Sequence, residues 1–319
     1  MILMRIKRRG LTLVELLIAV LLGAVVVLVT TGVTRQVTLI MERMSSRTLA
    51  WERGQNALSI IEPRALHAGF GLTYDRAGDF FRRSFGKNDT SWPPPARWID
   101  RRGPLQIWDG QTSYLSLAPD NGGVFRGRGM SVLYAVPSAL RAGTSMDISM
   151  NAGDSAKIRL IPSEELVGIA TGLPTAAKND LRSWVTFPLM RMPVHAVYLA
   201  GELTVRMADD SGRSATLHPF DEMHYIRAAR FYVQDEVMYS EELRTSWTNI
   251  ETRLEGVLEM WFEWTPSKKL LEAWILTTGG RSFRRTAKPG DWPSEAPWRD
   301  EFENHDVVVT KGSWFLKNM

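Results

Sequence analysis

The residue most out of place in this chain is Glu15. It is the one formal charge between Leu11 and Val33, inside the run LTLVELLIAVLLGAVVVLVTTGV. A carboxylate within a membrane helix costs about 2.5–3.5 kcal/mol on insertion scales, which makes such a position a functional-site hypothesis. The plainer alternative is that Glu15 lies level with the lipid headgroups and is solvated there. Other candidates for chemistry are weaker. The five histidines, His67, His195, His218, His224 and His305, show no close ligand pairing, and His218 and His224 are six apart across Pro219. Gly127-Arg128-Gly129 lacks the third glycine and the helix of a nucleotide loop. Asp120 and Asn121 lack the further acids of a calcium loop and read as a turn. Pairs such as Glu241-Glu242 read as solvated turns, and the 12 tryptophans as core and loop anchors. With no cysteine there is no disulfide, thiolate metal site or thiol nucleophile. These residues predict neither an enzyme nor a metal or cofactor site.

The element that positions Glu15 is a helix. A bilayer core needs roughly 20 apolar residues in helical form, and the run beginning at Leu11 supplies them. Arg5, Lys7, Arg8 and Arg9 precede it with no acid among them, which predicts a cytoplasmic leader and a C-terminal part that crosses. Beyond Val33, the residues Val37, Ile40, Met44, Thr48, Trp51 and Leu58 recur at helical steps between charged ones. One helix is predicted from about Leu11 to Ile61, roughly 75 Å long, with Gly32 a weak point and Pro63 its stop or kink. The formal charge of +4 resides in the leader: without its four basic residues, 35 Lys and Arg face 35 Asp and Glu. Bulk charge therefore makes no case for nucleic-acid binding.

Arg9-Gly10-Leu11-Thr12-Leu13-Val14-Glu15 followed by an apolar run resembles the class III signal of type IV prepilins and type II secretion pseudopilins. Leu11 stands where phenylalanine is commoner. The resemblance implies that a prepilin peptidase cuts between Gly10 and Leu11, removes the leader charges Arg5, Lys7, Arg8 and Arg9, and methylates the new amino terminus at Leu11. It implies further that Glu15 meets the amino terminus of a neighbouring subunit and sets its register in a filament. A buried carboxylate is tolerable when paired and expensive when not. Residues four apart share a helix face, so pairing of Leu11 with Glu15 in one chain is also open.

Further along, Ala65-Leu66-His67-Ala68-Gly69-Phe70-Gly71 resembles the stretch that ends the stem helix in PilW-type minor pilins, with Arg64 slightly out of register. It predicts a helix stop at Gly69 and Phe70 folded back on a sheet. Ser91–Trp98, with Trp92 and Trp98 around three prolines, reads as a loop pinned by its aromatics or as a recognition surface. Strands are predicted over 112–118, 131–136, 145–150, 157–161, 195–199 and 202–207. A hairpin turn at Asp209–Gly212 leads to 214–218. A pair follows over 225–233 and 237–239, then a strand over 254–264 that turns at Thr265–Lys268 and returns over 270–277. A Trp/Pro loop over 288–298 precedes a last strand at 306–310. Phe231-Tyr232-Val233, the strand entered through Glu255-Gly256-Val257, and the ending Trp314–Met319 again resemble PilW-type proteins.

The fold class read from this is α+β, a long pilin stem helix on a β-rich head. Its divisions are a leader (1–10), a membrane or filament-core segment (11–33), an amphipathic stem (34–63) and a head (64–319) with room for two sub-sheets. The resemblance implies a minor pilin of a type IV pilus that initiates assembly or caps the tip. It would be a single-pass inner-membrane protein with its head outside the cytoplasm, and later part of the pilus. The implied partners are the prepilin peptidase, the inner-membrane assembly platform, and other minor pilins and the major pilin through the stem. A J-type minor pseudopilin of type II secretion is the alternative, and a tip adhesin using Trp92 and Trp98 a second.

Overall fold

A run of Leu, Val, Ala and Ile with no proline before residue 63 forms one helix, α1 (Leu13–Leu66, 54 residues), about 80 Å long. The computed structural model describes residues 13–72, 103–109, 125–161, 182–199, 202–207, 213–243, 249–281 and 285–319. Pro63 does not stop α1 at Ile61; it lies within the last turn. There the buried Ile61 and Ala65 hold the helix on the sheet, and only one backbone donor is lost. Arg64 Nη1 donates to the Ile60 carbonyl at 2.7 Å. Gly69, at φ 72°, ends the turn, its N–H donating to the Leu133 carbonyl at 3.0 Å. Phe70 then folds back, its ring 5.2 Å from that of His224.

The strands are β1 (Leu105–Asp109), β2 (Phe125–Ala142), β3 (Ile148–Met150), β4 (Ser155–Ile158), β5 (Leu160–Ile161), β6 (Arg182–Phe187), β7 (Met192–Leu199), β8 (Glu202–Arg206), β9 (Ala215–Leu217), β10 (Glu222–Gln234), β11 (Val237–Leu243), β12 (Asn249–Glu255), β13 (Val257–Thr265), β14 (Leu270–Arg281) and β15 (His305–Phe315). Their main path runs β15-β14-β13-β2-β10-β6-β7-β8-β4, with β1 and β5 also on β2, and β11 joining β10 to β12. The three-stranded β13–β15 part meets the rest through one parallel pair, Met260 with Gly127.

The pair expected over 225–233 and 237–239 forms, turning at Asp235-Glu236, and the hairpin expected to turn at Thr265–Lys268 forms with its turn one residue later, at Pro266–Lys269. Three strand expectations are corrected. β8 pairs with β7 and β4 rather than with β9, and β9 pairs with β3 instead. The strand expected over 254–264 is split at Gly256 (φ 76°), so that its two halves pair with different neighbours. The last strand, expected over 306–310, runs on to Phe315 as β15, because β14 offers partners from Arg281 to Leu270; Leu316–Met319 follow it outside the strand. The segments expected at 112–118 and 91–98, and the turns at 119–123 and 209–212, lie wholly or partly outside the described residues.

The helix meets the sheet along a stripe of small residues. Ala50, Gly54, Ala57, Ile61 and Ala65 are buried at helical spacing, which brings the backbones of α1 and the β14–β15 hairpin close together. Thr277 Oγ1 donates to the Ala50 carbonyl at 2.6 Å, and Arg53 Nη1 to the Thr278 carbonyl at 2.5 Å. A side chain at Gly279 would place its Cβ 1.8 Å from the Ser46 carbonyl oxygen, and one at Gly54 would place it 2.0 Å from Thr310 Oγ1. Behind this seam lies the main core, with Met130, Phe231, Phe262 and Trp314. A second core, with Phe187, Met192 and Val205, forms where β2 continues past Tyr134, its point of contact with Ala68 of the stem end. A third fills the far side of β13–β14. Trp292 from the Trp/Pro loop is buried there and donates to the Pro297 carbonyl at 3.2 Å.

Glu259 on β13 is fully buried, with Arg299 Nε 3.4 Å away. Burial raises its carboxyl from 4.5 to about 7, against the opposing pull of Arg299 and then Arg126. The native state therefore holds this proton longer than the unfolded chain. The contribution to stability is present below about pH 4.5 and is lost as the pH rises to about 7.

Two outcomes are expected from thermal melts of the full chain in detergent. Gly279→Ala, whose methyl meets main chain rather than a movable side chain, lowers stability by about 1–3 kcal/mol; Gly290→Ala, with open space around it, does not. Glu259→Gln stabilises the protein at pH 8, on the order of 3 kcal/mol, and leaves it unchanged at pH 4.

Candidate assembly interface

The first half of α1 stands clear of the head. Residues 13–45 are exposed throughout, with Leu13, Leu16, Val20 and Leu28 showing 80%, 57%, 65% and 75% of their surface. Among the described residues α1 is the helix long and apolar enough to cross a membrane. Leaving so much apolar area in water is unfavourable at about 25 cal/mol per Å2. This surface therefore requires lipid or other apolar helices around it.

Glu15 sits in the first turn of this rod, between Val14 and Leu16 on the exposed helix surface. The other site residues read from the sequence, Gly10, Leu11 and the leader charges Arg5, Lys7, Arg8 and Arg9, lie outside the described residues. The rod is continuous through Gly32. Its threonines are accommodated without breaking it: the hydroxyls of Thr30, Thr34 and Thr38 donate to the carbonyls of Val26, Thr30 and Thr34 at 2.7, 2.8 and 3.0 Å. Such bonding to the preceding turn satisfies a hydroxyl inside an apolar environment.

The other end of the rod is locked by charge. Arg64 Nη2 lies 3.1 Å from Glu242 Oε2, and Arg227 Nη1 lies 3.0 Å from Glu242 Oε1. One buried carboxylate thus joins the stem to β10 and β11. Tyr134 packs beside it, and burial, followed by the Glu242 charge, pushes its phenol up to about 12. On the opposite face of β11, Glu241 pairs with Arg230 and accepts from the Tyr232 hydroxyl at 2.5 Å. Burial, together with this hydrogen bond, raises the Tyr232 pKa well above the ordinary phenol range.

The reading of Glu241-Glu242 as a solvated turn is therefore wrong. Both side chains are buried, at 3% and 5% exposure. The signal lay in the hairpin register, which sets Arg230 directly opposite Glu241, a cross-strand pair of opposite charge. The contribution of Arg64, from a distant helix, had no such signal. His67 is exposed, its Nδ1 2.7 Å from the Pro63 carbonyl. His218 is half-exposed beside Asp147, and His224 is buried against Phe70. Among the described residues no three His, Asp or Glu side chains are grouped to hold a metal.

Residues 5–31 match the family model of the prokaryotic N-terminal methylation motif. No curated protein and no solved structure matches the chain. The matched motif supports a type IV pilin-like class III signal, with processing by a prepilin peptidase and assembly in pilus-type machinery. With α1 it gives a single-pass membrane anchor joined to a β-rich body, the α+β arrangement of a pilin-like protein.

Proposed function

We propose that the protein is a minor pilin of a type IV pilus, nearest the PilW type, that initiates assembly or caps the filament tip. The observation that carries this reading is the division of α1: an exposed apolar rod with a carboxylate in its first turn, continuous with a segment sealed to the head. The leader (1–10) is removed, Leu11 is methylated, and residues 11–33 pass from the membrane into the filament core. The amphipathic stem (34–63) and the head (64–319) stay outside the cytoplasm. Glu15 meets the Leu11 amine of a neighbouring subunit, which neutralises it where an unpaired charge would be costly. The stem contacts other minor pilins and the major pilin, and the chain engages the peptidase and the inner-membrane assembly platform. A head of this bulk is hard to repeat along a packed shaft, which favours the tip.

The mature amino terminus decides the first step. Mass spectrometry of the protein extracted from piliated cells should find Leu11 first, carrying one added methyl. Gly10→Ala should retain residues 1–10. Glu15→Ala should be cut normally yet lose most of its incorporation into sheared filaments, and unchanged incorporation would overturn the role given to that carboxylate. Deletion should abolish pilus-dependent twitching or DNA uptake; loss of exoprotein secretion alone would assign the chain to a type II secretion pseudopilus.

A further inference from the structure

A cleft of about 1160 Å3 opens at the end of the stem, between the main core and the second one. Two hairpin turns border it. One is Pro188-Leu189-Met190-Arg191, joining β6 to β7; the other is Pro266-Ser267-Lys268-Lys269, joining β13 to β14. They share a pattern: four residues, proline first and a cation last. The last residue has left-handed backbone in both, with φ 52° at Arg191 and 51° at Lys269. Glycine or asparagine is the usual occupant of such a position, because a Cβ is disfavoured there. Five non-glycine residues among those described have positive φ, and two of them are these cleft cations. Strain held at a concave site points to use of the site.

Lys317 adds a third exposed cation, and Trp264 and Phe70 add aromatic surface. Among the described residues no Asp or Glu side chain lines the cleft. A bounded cleft of this kind does not suit a long polyanion, which requires an extended basic track, and the chain without its leader has no such excess of charge. It suits a short ligand with a few anionic groups and a flat apolar face to lie on an aromatic ring. The geometry points to a binding site for an acidic saccharide, carboxylated or sulfated, held by Arg191, Lys269 and Lys317 and stacked on Trp264. The site lies about 80 Å from the first turn of α1, clear of the stem surface that packs in a filament, and it does not rest on which machine the stem serves.

The test uses the full chain in detergent, titrated by calorimetry with a galacturonate tetrasaccharide, a heparin tetrasaccharide, neutral cellotetraose and a tetraglutamate peptide. Binding of either acidic sugar, with at least tenfold preference over cellotetraose and tetraglutamate, is expected. Preference between the two separates a carboxylate site from a sulfate site. Arg191→Gly and Lys269→Gly relax the backbone while removing the charge. Each should keep or raise the melting temperature and weaken acidic-sugar binding at least tenfold. Trp264→Phe, which keeps an aromatic ring, should retain most of it. No binding by either acidic sugar, equal binding of tetraglutamate, or unaltered affinity in both glycine variants would overturn the assignment.

Discussion

The seam between α1 and the β14–β15 hairpin is the contact on which the rest of the molecule depends. Small residues at Ala50, Gly54 and Ala57 let the two backbones approach. The approach is near enough for a sheet threonine to donate to a helix carbonyl, as Thr277 does to Ala50. A single large side chain on either face would hold the elements apart and open the core behind them. Because β13–β15 joins the remaining strands by a single ladder pair, Met260 with Gly127, and otherwise by the shared core, the stem also acts as a spine. Its second half, from Ala50 to Ala65, packs on β14 and β15, and the turn that follows reaches β2 at Ala68, so both parts of the sheet are fixed to one stem.

Two carboxylates associated with this helix show how one charge type serves different ends. Glu242 is buried and answered within the chain by Arg64 and Arg227, in a geometry that leaves few of its lone pairs unused. Removing both arginines would strand a charge in a low-dielectric site, the costly case for buried ion pairs, whereas removing one leaves the carboxylate paired with the other. Glu15 stands at the opposite end, on a surface of leucines and valines that no part of the head covers. The first carboxylate fixes the head on the rod. The second lies on the exposed apolar half of the rod, where lipid or another helix can reach it.

Much of the architecture was legible because it is local. The helix follows from an uninterrupted apolar run and its amphipathic continuation. The hairpins at Asp235-Glu236 and Pro266–Lys269 follow from turn residues between alternating strands. What was not legible depends on partners distant in the chain. β2 touches β1, β5, β10 and β13, and nothing in residues 125–142 names those neighbours. β8 and β9 look like a hairpin from their spacing, yet each finds a better edge elsewhere, on β7 and β4 or on β3. Pro63 reads as a breaker on propensity alone, and burial of Ile61 and Ala65 overrides it. The acidic pair at 241–242 reads as solvent-facing until the opposing strand and the stem arginine are placed. Of the candidate site, Glu15 was identifiable from charge and context alone. The cleft at the stem end was not, because its two turns lie 78 residues apart in sequence, from Arg191 to Lys269.

The direction of β15 carries a mechanical consequence. Thr310 lies against Gly54, the Gly312 backbone near Leu58, and Met319 against Gly69, so the strand climbs alongside the helix rather than across it. A pull on the head along the rod therefore loads this joint in shear. The Thr277–Ala50 bond, the Arg53 anchor and the Arg64 ion pair must yield together, not one after another as in peeling. A thread tugged at both ends is better served by a lap joint than by a zip.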